Sequence, residues 1–222
     1  MRQSRIFEVF EEKKGKRITL YTKNLVPGRS VYGEDLVMRN GIEYREWNAF
    51  RSKLASSILK GSPNVGIRKG DIVLYLGASS GTTPSHVSDM VGKDGFVFAL
   101  DFAPKVVRNL VYLCEERENM APILADANKP DTYKHKITQS DIIYMDIAQR
   151  EQAKILLKNL QFMKPSGYAL IAIKARSIDV TRKPRSIYED VKKELEKNLR
   201  IIDQRILDPF EKDHCMFICK KK

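Results

Sequence analysis

Asp101, Asp126, Asp146 and Lys174 each stand just beyond a short apolar run of the sequence. Where such runs become strands of an open α/β sheet, ligands bind beyond the strands' carboxyl ends. The first of these runs, Asp71-Ile72-Val73-Leu74-Tyr75-Leu76, leads into Gly77-Ala78-Ser79-Ser80-Gly81-Thr82-Thr83. Gly77 and Gly81 let a ligand approach the backbone, and a helix opening at Thr82 offers free N–H groups. Asp101 follows Gly81 by 20 residues, the distance at which an acid can hold both hydroxyls of a ribose. Turn, flanking strand and helix, and acid together point to an adenosine-containing ligand. Lys174 ends the run Ala169-Leu170-Ile171-Ala172-Ile173, and a lysine beside a buried strand and a carboxylate can have a usefully shifted pKa. His214 reaches the same edge if the last strand is antiparallel.

The elements that must position these residues alternate. Strands are expected at 71–76, 96–100, 122–124, 141–145 and 168–173, with helices near 83–91, 104–118 and 149–163. A further helix at about 186–198 precedes strands at 200–207 and 214–219. Near-continuous apolar strands imply a parallel sheet covered on both faces, a doubly wound α/β domain. The chain before this pattern differs. Arg5–Phe10 and Arg17–Tyr21 read as strands around a Lys13-Lys14-Gly15 turn, and Leu36–Met38 and Ile42–Tyr44 flank the hairpin pair Asn40-Gly41. Residues 1–46 therefore form a small antiparallel β-rich domain, with too few apolar residues to stand alone, and 47–222 form the main domain. A helix joins them, capped by Asn48, with Phe50, Leu54 and Ile58 at i+4 spacing and a stop at Gly61.

The 222 residues carry a formal net charge of +12 and are 42% hydrophobic, enough for a sizeable core. Disorder, collagen-like repetition and a disulfide scaffold are excluded. No apolar run approaches a bilayer span and no secretion signal opens the chain, so a soluble intracellular protein with no membrane partner is expected. Cys114, Cys215 and Cys219 form no CxxC pair, and His86, His135 and His214 lack zinc-ligand spacing; reduced thiols and no metal are expected. The excess of cations favours a polyanion, most commonly nucleic acid, over charge for solubility alone. Arg176, Arg182, Lys183 and Arg185 cluster after the fifth strand of the main domain, where they could hold RNA phosphates; a solvated loop is the alternative.

Two adenosine cofactors compete. Tyr188-x-x-x-Lys192 has the spacing of short-chain dehydrogenases, but the turn has Thr82-Thr83 where the dinucleotide pattern needs its third glycine. Tyr188 also lies in a charge-rich segment that reads as a solvated helix. The other cofactor is S-adenosyl-L-methionine. Trp47–Ala55 (WNAFRSKLA), Leu76–Thr83 (LGASSGTT), Asp146–Gln149 (DIAQ), Ile173–Arg176 (IKAR) and Asp208–His214 (DPFEKDH) together resemble the fibrillarin family, and the likeness runs over essentially the whole chain.

The resemblance implies a Rossmann-like methyltransferase fold and guide-RNA-directed ribose 2′-O-methylation of rRNA and tRNA. The setting would be a box C/D ribonucleoprotein, with a Nop-domain scaffold protein, a kink-turn-binding ribosomal-type protein and guide RNA as partners. Lacking the Gly/Arg-rich tail of eukaryotic members, the chain is expected to be the archaeal, cytoplasmic form. The resemblance further suggests that Gly77, Gly81, Thr82, Thr83, Asp101, Phe102, Asp126, Ala127, Asp146, Ile147, Ala148 and Gln149 surround the cofactor. Thr82 and Thr83 would contact its methionine part, Asp101 its ribose and Phe102 its adenine. Many relatives have Glu at the position of Asp101. A catalytic tetrad matches Lys53, Asp146, Lys174 and His214: Lys174 as base, its pKa lowered by neighbouring cations and the bound sulfonium, Asp146 orienting Lys174 and the methyl donor, Lys53 and His214 positioning ribose and phosphate. The alternatives are a methyltransferase of an RNA base or protein side chain, although an Asn/Asp-Pro-Pro-aromatic motif is absent after Met145, and a non-catalytic RNP component.

Overall fold

Asn40 and Gly41 both take left-handed backbone (φ +50° and +75°), as a two-residue hairpin requires. In the computed structural model, which describes residues 1–222, this turn joins β4 (Leu36–Arg39) to β5 (Ile42–Trp47). With β1 (Arg2–Gln3), β2 (Val9–Lys14) and β3 (Arg17–Lys23) they form an antiparallel sheet of order β1-β2-β3-β5-β4. The expected strand at 5–10 is displaced: residues 5–8 lie outside any strand and pairing starts at Val9. Glu8, at φ +55°, turns the chain there.

The connecting helix is broken in two. Asn48 does accept a hydrogen bond at a cap, from Phe50 N–H (2.9 Å), but it caps only a 3-10 turn, Ala49–Arg51. Ser52, in extended backbone, then caps α1 (Lys53–Leu59), accepting from Ala55 N–H (3.3 Å). The i+4 spacing of Phe50 with Leu54 therefore bridges two elements, and Phe50 is exposed while Leu54 is buried.

Beyond α1 follow β6 (Ile72–Leu76), α2 (Thr82–Val91), β7 (Phe96–Asp101), α3 (Pro104–Glu115), β8 (Met120–Leu124), β9 (Ser140–Met145), α4 (Gln152–Asn159), β10 (Met163–Lys174), the short α5 (Ala175–Ile178), α6 (Pro184–Leu195), β11 (Leu199–Ile206) and β12 (His214–Lys221). The long helix expected at 149–163 is shorter, because a 3-10 turn at Leu160–Phe162 feeds straight into β10. The seven strands are ordered β11-β12-β10-β9-β6-β7-β8. The five from β10 to β8 are parallel, and β12 runs antiparallel between β10 and β11.

Side chains alternate across this sheet. One face (Val73, Tyr75, Ile142, Tyr144, Leu170, Ala172, Met216, Ile218) shares a core with α1, α2, Leu110 of α3, Ile6 of the segment before β2, and Val9, Leu20 and Trp47 of the N-terminal sheet. The other face (Leu74, Leu76, Ile143, Met145, Ile171, Ile173, Phe217) packs on α4 and α6. Tyr188, read from sequence as solvated, belongs to this second core and is 2% exposed; Ile187, Val191 and Leu195 complete its helical stripe beneath the charges.

The two sheets are joined by buried charge. Arg45 of β5, fully buried, donates to Glu34 Oε1 (2.6 Å), to Asp89 Oδ2 of α2 (2.9 Å) and to Ser85 Oγ (2.9 Å). Arg117 donates to the other Asp89 oxygen (2.7 Å). His86 lies in the same cluster, stacked on Trp47 at 4.8 Å and bonded through Nδ1 to Thr22 Oγ1 (2.8 Å). Burial first, then the Arg45 and Arg117 cations, hold its pKa well below the ordinary 6.5, so the ring is neutral. An unfolded chain takes up that proton below about pH 6.5 and the folded one does not, so acid favours unfolding. The thermal midpoint should fall as pH drops from 6.5 toward the lower folded-state value. His86→Asn should flatten that part of the curve, which calorimetry across pH 5–7 checks.

Candidate functional site

The alternation that sorts the cores also sorts the chemistry. Lys174 continues the face of Leu170 and Ala172, and His214 that of Met216 and Ile218, so both side chains leave the sheet toward α1. In the β10–β12 register they are direct partners. The Lys174 N–H and C=O turn away from β12 to the side chain of Gln152 (3.0 and 3.2 Å), and the His214 C=O accepts from Leu207 N–H of the other neighbour (2.9 Å). The two therefore form the closer, non-hydrogen-bonded kind of antiparallel pair, whose side chains lie adjacent.

Asp146 follows β9 and its N–H donates to Leu76 C=O (2.9 Å), which sets it beside the β6 turn. Its Oδ2 accepts a hydrogen bond from Lys53 Nζ at 2.9 Å. Lys53 is the first residue of α1, and its cap is itself anchored: Thr83 Oγ1 donates to Ser52 Oγ (3.0 Å). Burial lowers the Lys53 pKa, but the Asp146 charge, its hydrogen bond and the Glu211 carboxylate outweigh this and hold the ammonium above its ordinary value. The ion-pair partner of Asp146 is thus Lys53, and the exposed Lys174 amino group is left open to solvent. His214 Nδ1 donates to Lys212 C=O (2.7 Å). Burial and, against that bond, the Lys53 cation keep its pKa below the ordinary value, so Nε2 is a free acceptor at neutral pH. Glu211, unassigned from sequence, is among the charges acting on both Lys53 and His214.

A cavity of about 300 Å³ opens at the same sheet edge. Gly77, Asp101, Phe102, Asp126, Ala127, Asp146, Ile147, Ala148 and Gln149 line it, with Ser79, Leu100 and Ala125. Asp101 accepts from Ser79 N–H (2.9 Å) and Ala103 N–H (3.0 Å), which holds Ser79 in left-handed backbone (φ +50°). Each carboxylate oxygen keeps a further lone pair. Phe102 is 65% exposed at the rim. Gly77 combines φ +86° with a close approach: a Cβ there would strike the Asp146 carbonyl and Ile147 Cγ2. Asp126 takes the Asn128 N–H (2.9 Å), and Asn128 donates to Gln149 Oε1 (2.8 Å), tying the two loops together.

Gly81, Thr82 and Thr83 do not line the cavity; Gly81 (φ +97°) precedes α2, and Thr83 is buried against Ser52. Of the four cations after β10, Arg176 is taken up by Asp213 (3.0 Å) and Val180 C=O, and Arg182 by Asp190 (2.6 Å). Lys183 and Arg185 are exposed. Sequence reading missed Gln152, Asn128 and Ser52, polar residues that act through backbone or neighbouring side chains and form no motif by type and spacing.

A seven-stranded sheet with its last strand inserted antiparallel, and a glycine-floored cavity at its carboxyl edge, is the fold of S-adenosylmethionine-dependent methyltransferases. One from Aquifex aeolicus superposes with a TM-score of 0.56 at 20% identity, covering 75% of this chain and 88% of that one. The family model described as Fibrillarin matches residues 1–222. The chain belongs to the fibrillarin family. A Thermococcus sibiricus protein named fibrillarin-like rRNA/tRNA 2′-O-methyltransferase is 48% identical over 217 residues, 97% of this chain and 95% of its own length. Aeropyrum pernix fibrillarin, solved with natively bound S-adenosyl-L-methionine, is 46% identical with a TM-score of 0.90, covering 98% of this chain and 96% of that one. The fibrillarin of a fibrillarin/Nop5p complex gives 39% and 0.88, over 98% and 99%.

Gly77→Ala should cost about 1–3 kcal/mol in backbone strain alone and push the Asp146–Gln149 loop outward. Denaturant unfolding and titration with S-adenosyl-L-methionine should record both, as lower stability and weakened binding.

Proposed function

We propose that this chain transfers the methyl group of S-adenosyl-L-methionine to ribose 2′-hydroxyls of rRNA and tRNA, directed by a guide RNA. It would act as the catalytic subunit of a box C/D ribonucleoprotein with a Nop-domain scaffold and a kink-turn-binding ribosomal-type protein. In this reading the assembly works in the cytoplasm of an archaeal cell. The observation that carries it is the Lys53–Asp146 ion pair, whose carboxylate lines the cavity and whose two charges act on His214, the register partner of Lys174.

The residues present fit the cofactor. A volume of about 300 Å³ is at the lower end of small-molecule sites, roughly 300–1,000 Å³. Asp101 has acceptors to spare for the ribose hydroxyls, Phe102 has an uncovered ring that would pack on the adenine, and Asp126 and Ala127 would border the base. Ile147, Ala148 and Gln149 with Asp146 form a wall of the cavity, and Gly81, Thr82 and Thr83, outside the cavity lining, open a helix whose free N–H groups would suit the methionine carboxylate. Once bound, the cofactor supplies an electrophilic methyl group on a sulfonium sulfur.

The chain's own residues then orient the ribose and remove a proton. Lys174 accepts the 2′-hydroxyl proton. Lys53, kept cationic by Asp146, cannot serve as base and instead holds the target's phosphate or ribose oxygens. Asp146 fixes Lys53 and, as part of the cavity lining, would offer its negative charge to the cofactor's sulfonium. Exposed Lys183 and Arg185, with Arg176 and Arg182 where their acidic partners yield, bind phosphates of the target strand. A second reading makes His214 the base, favoured by its free Nε2.

Lys174→Ala should lower single-turnover methylation by roughly 10²–10⁴-fold in the reconstituted assembly, the usual loss of a general base. The pH dependence tests the second reading: His214 as base gives a rate that reaches its plateau by about pH 6.5, because its pKa is held below the ordinary value, and a rate without that plateau excludes it. Asp101→Ala should weaken cofactor binding by roughly 10- to 100-fold, measured calorimetrically, as expected for a lost charged hydrogen bond of about 1.5–3 kcal/mol.

A further inference from the structure

We propose that Gln152 is the positioning residue of this site, one buried amide that sets the Asp146–Gln149 loop and Lys174 at a fixed distance; the proposal rests on the function proposed above. The β9–β10 ladder ends at Met145 opposite Ile171, but β10 runs on to Lys174. Its edge toward β9 has no strand partner there. Gln152, fully buried at the first residue of α4, fills the gap. Its Oε1 accepts from Lys174 N–H (3.0 Å), and its Nε2 donates to Lys174 C=O (3.2 Å) and to Gln149 C=O (2.8 Å).

The side-chain amide thus imitates one further peptide unit of β9. Both of its N–H donors are used, one on the residue proposed as base and one on the loop that lines the cavity. Gln149 passes the constraint on, accepting from Asn128 at the end of the β8 loop (2.8 Å). The line Asn128–Gln149–Gln152–Lys174 spans the cavity wall from one strand end to another. Gln152 itself does not line the cavity, so it acts through the two segments that it joins. Turning Lys174's backbone toward Gln152 also puts Lys174 and His214 in the narrow pairing that brings their side chains together. In-line attack tolerates little displacement of base from methyl donor, and about 1 Å can cost about 100-fold in rate.

Gln152→Met keeps length and burial but removes all three hydrogen bonds. In the reconstituted assembly the folded variant should bind S-adenosyl-L-methionine within about threefold of the unaltered chain. Its KM for target RNA should hold, while its single-turnover rate falls roughly 10- to 100-fold with an altered pH profile. If Gln152→Met does not fold, Gln152→Asn carries the same readings, since a side chain one methylene shorter cannot reach Lys174 and Gln149 together. A rate within twofold of the unaltered chain, with the same pH profile, overturns the proposal. So does a rate loss matched by an equal loss of cofactor affinity, which would make Gln152 only a support of the cavity. If the unaltered chain places no methyl group on a 2′-oxygen, the function proposed above falls and this inference with it.

Discussion

The contact between Lys53 and Asp146 is the point where the molecule's two halves of chemistry meet. Asp146 belongs to the sheet edge and the cavity wall; Lys53 belongs to a seven-residue helix standing over that edge. A lysine on so short a helix has many rotamers to lose, and this partly buried ion pair does not by itself select one. What holds it is the scaffold behind: Ser52 caps the helix, Thr83 of α2 binds Ser52, and α2 is fastened to the N-terminal sheet through Asp89. The distance of one functional contact is therefore set by three elements far apart in sequence.

That dependence gives the N-terminal sheet a role that its position far from the cavity conceals. Arg45, Asp89 and Arg117 are buried charges with closely matched partners, and removing one member would leave the others uncompensated in the interior. Such clusters are poor sources of net stability, but they tolerate few alternative arrangements. Together with the stack of Trp47 on His86 they fix how the small sheet meets α2, and so how the start of α1 meets the cavity.

Much of this was legible in the residues. Alternating apolar runs disclosed the strands, the Asn40-Gly41 hairpin and the edge carrying Asp101, Asp126, Asp146 and Lys174. The antiparallel condition for His214 is met by β12. The break at Ser52 was hidden because Phe50, Leu54 and Ile58 keep helical spacing across it, and only the cap geometry shows the restart. Tyr188 was misread because the charged neighbours of an amphipathic helix mask a stripe that comes up every third or fourth residue. Pairings such as Lys53 with Asp146 or Gln152 with Lys174 join residues 93 and 22 positions apart, and no local pattern encodes them.

The place of β12 has a consequence for handling the protein. It is the sole strand joining β11 to the sheet, and it covers the full run Tyr168–Lys174 of β10. Were residues 214–221 trimmed away, β10 would become an open edge of Ala, Leu and Ile with unpaired backbone groups, a template for joining other chains. Loss of this segment would thus announce itself as precipitation and self-association, well before an assay could register a missing histidine.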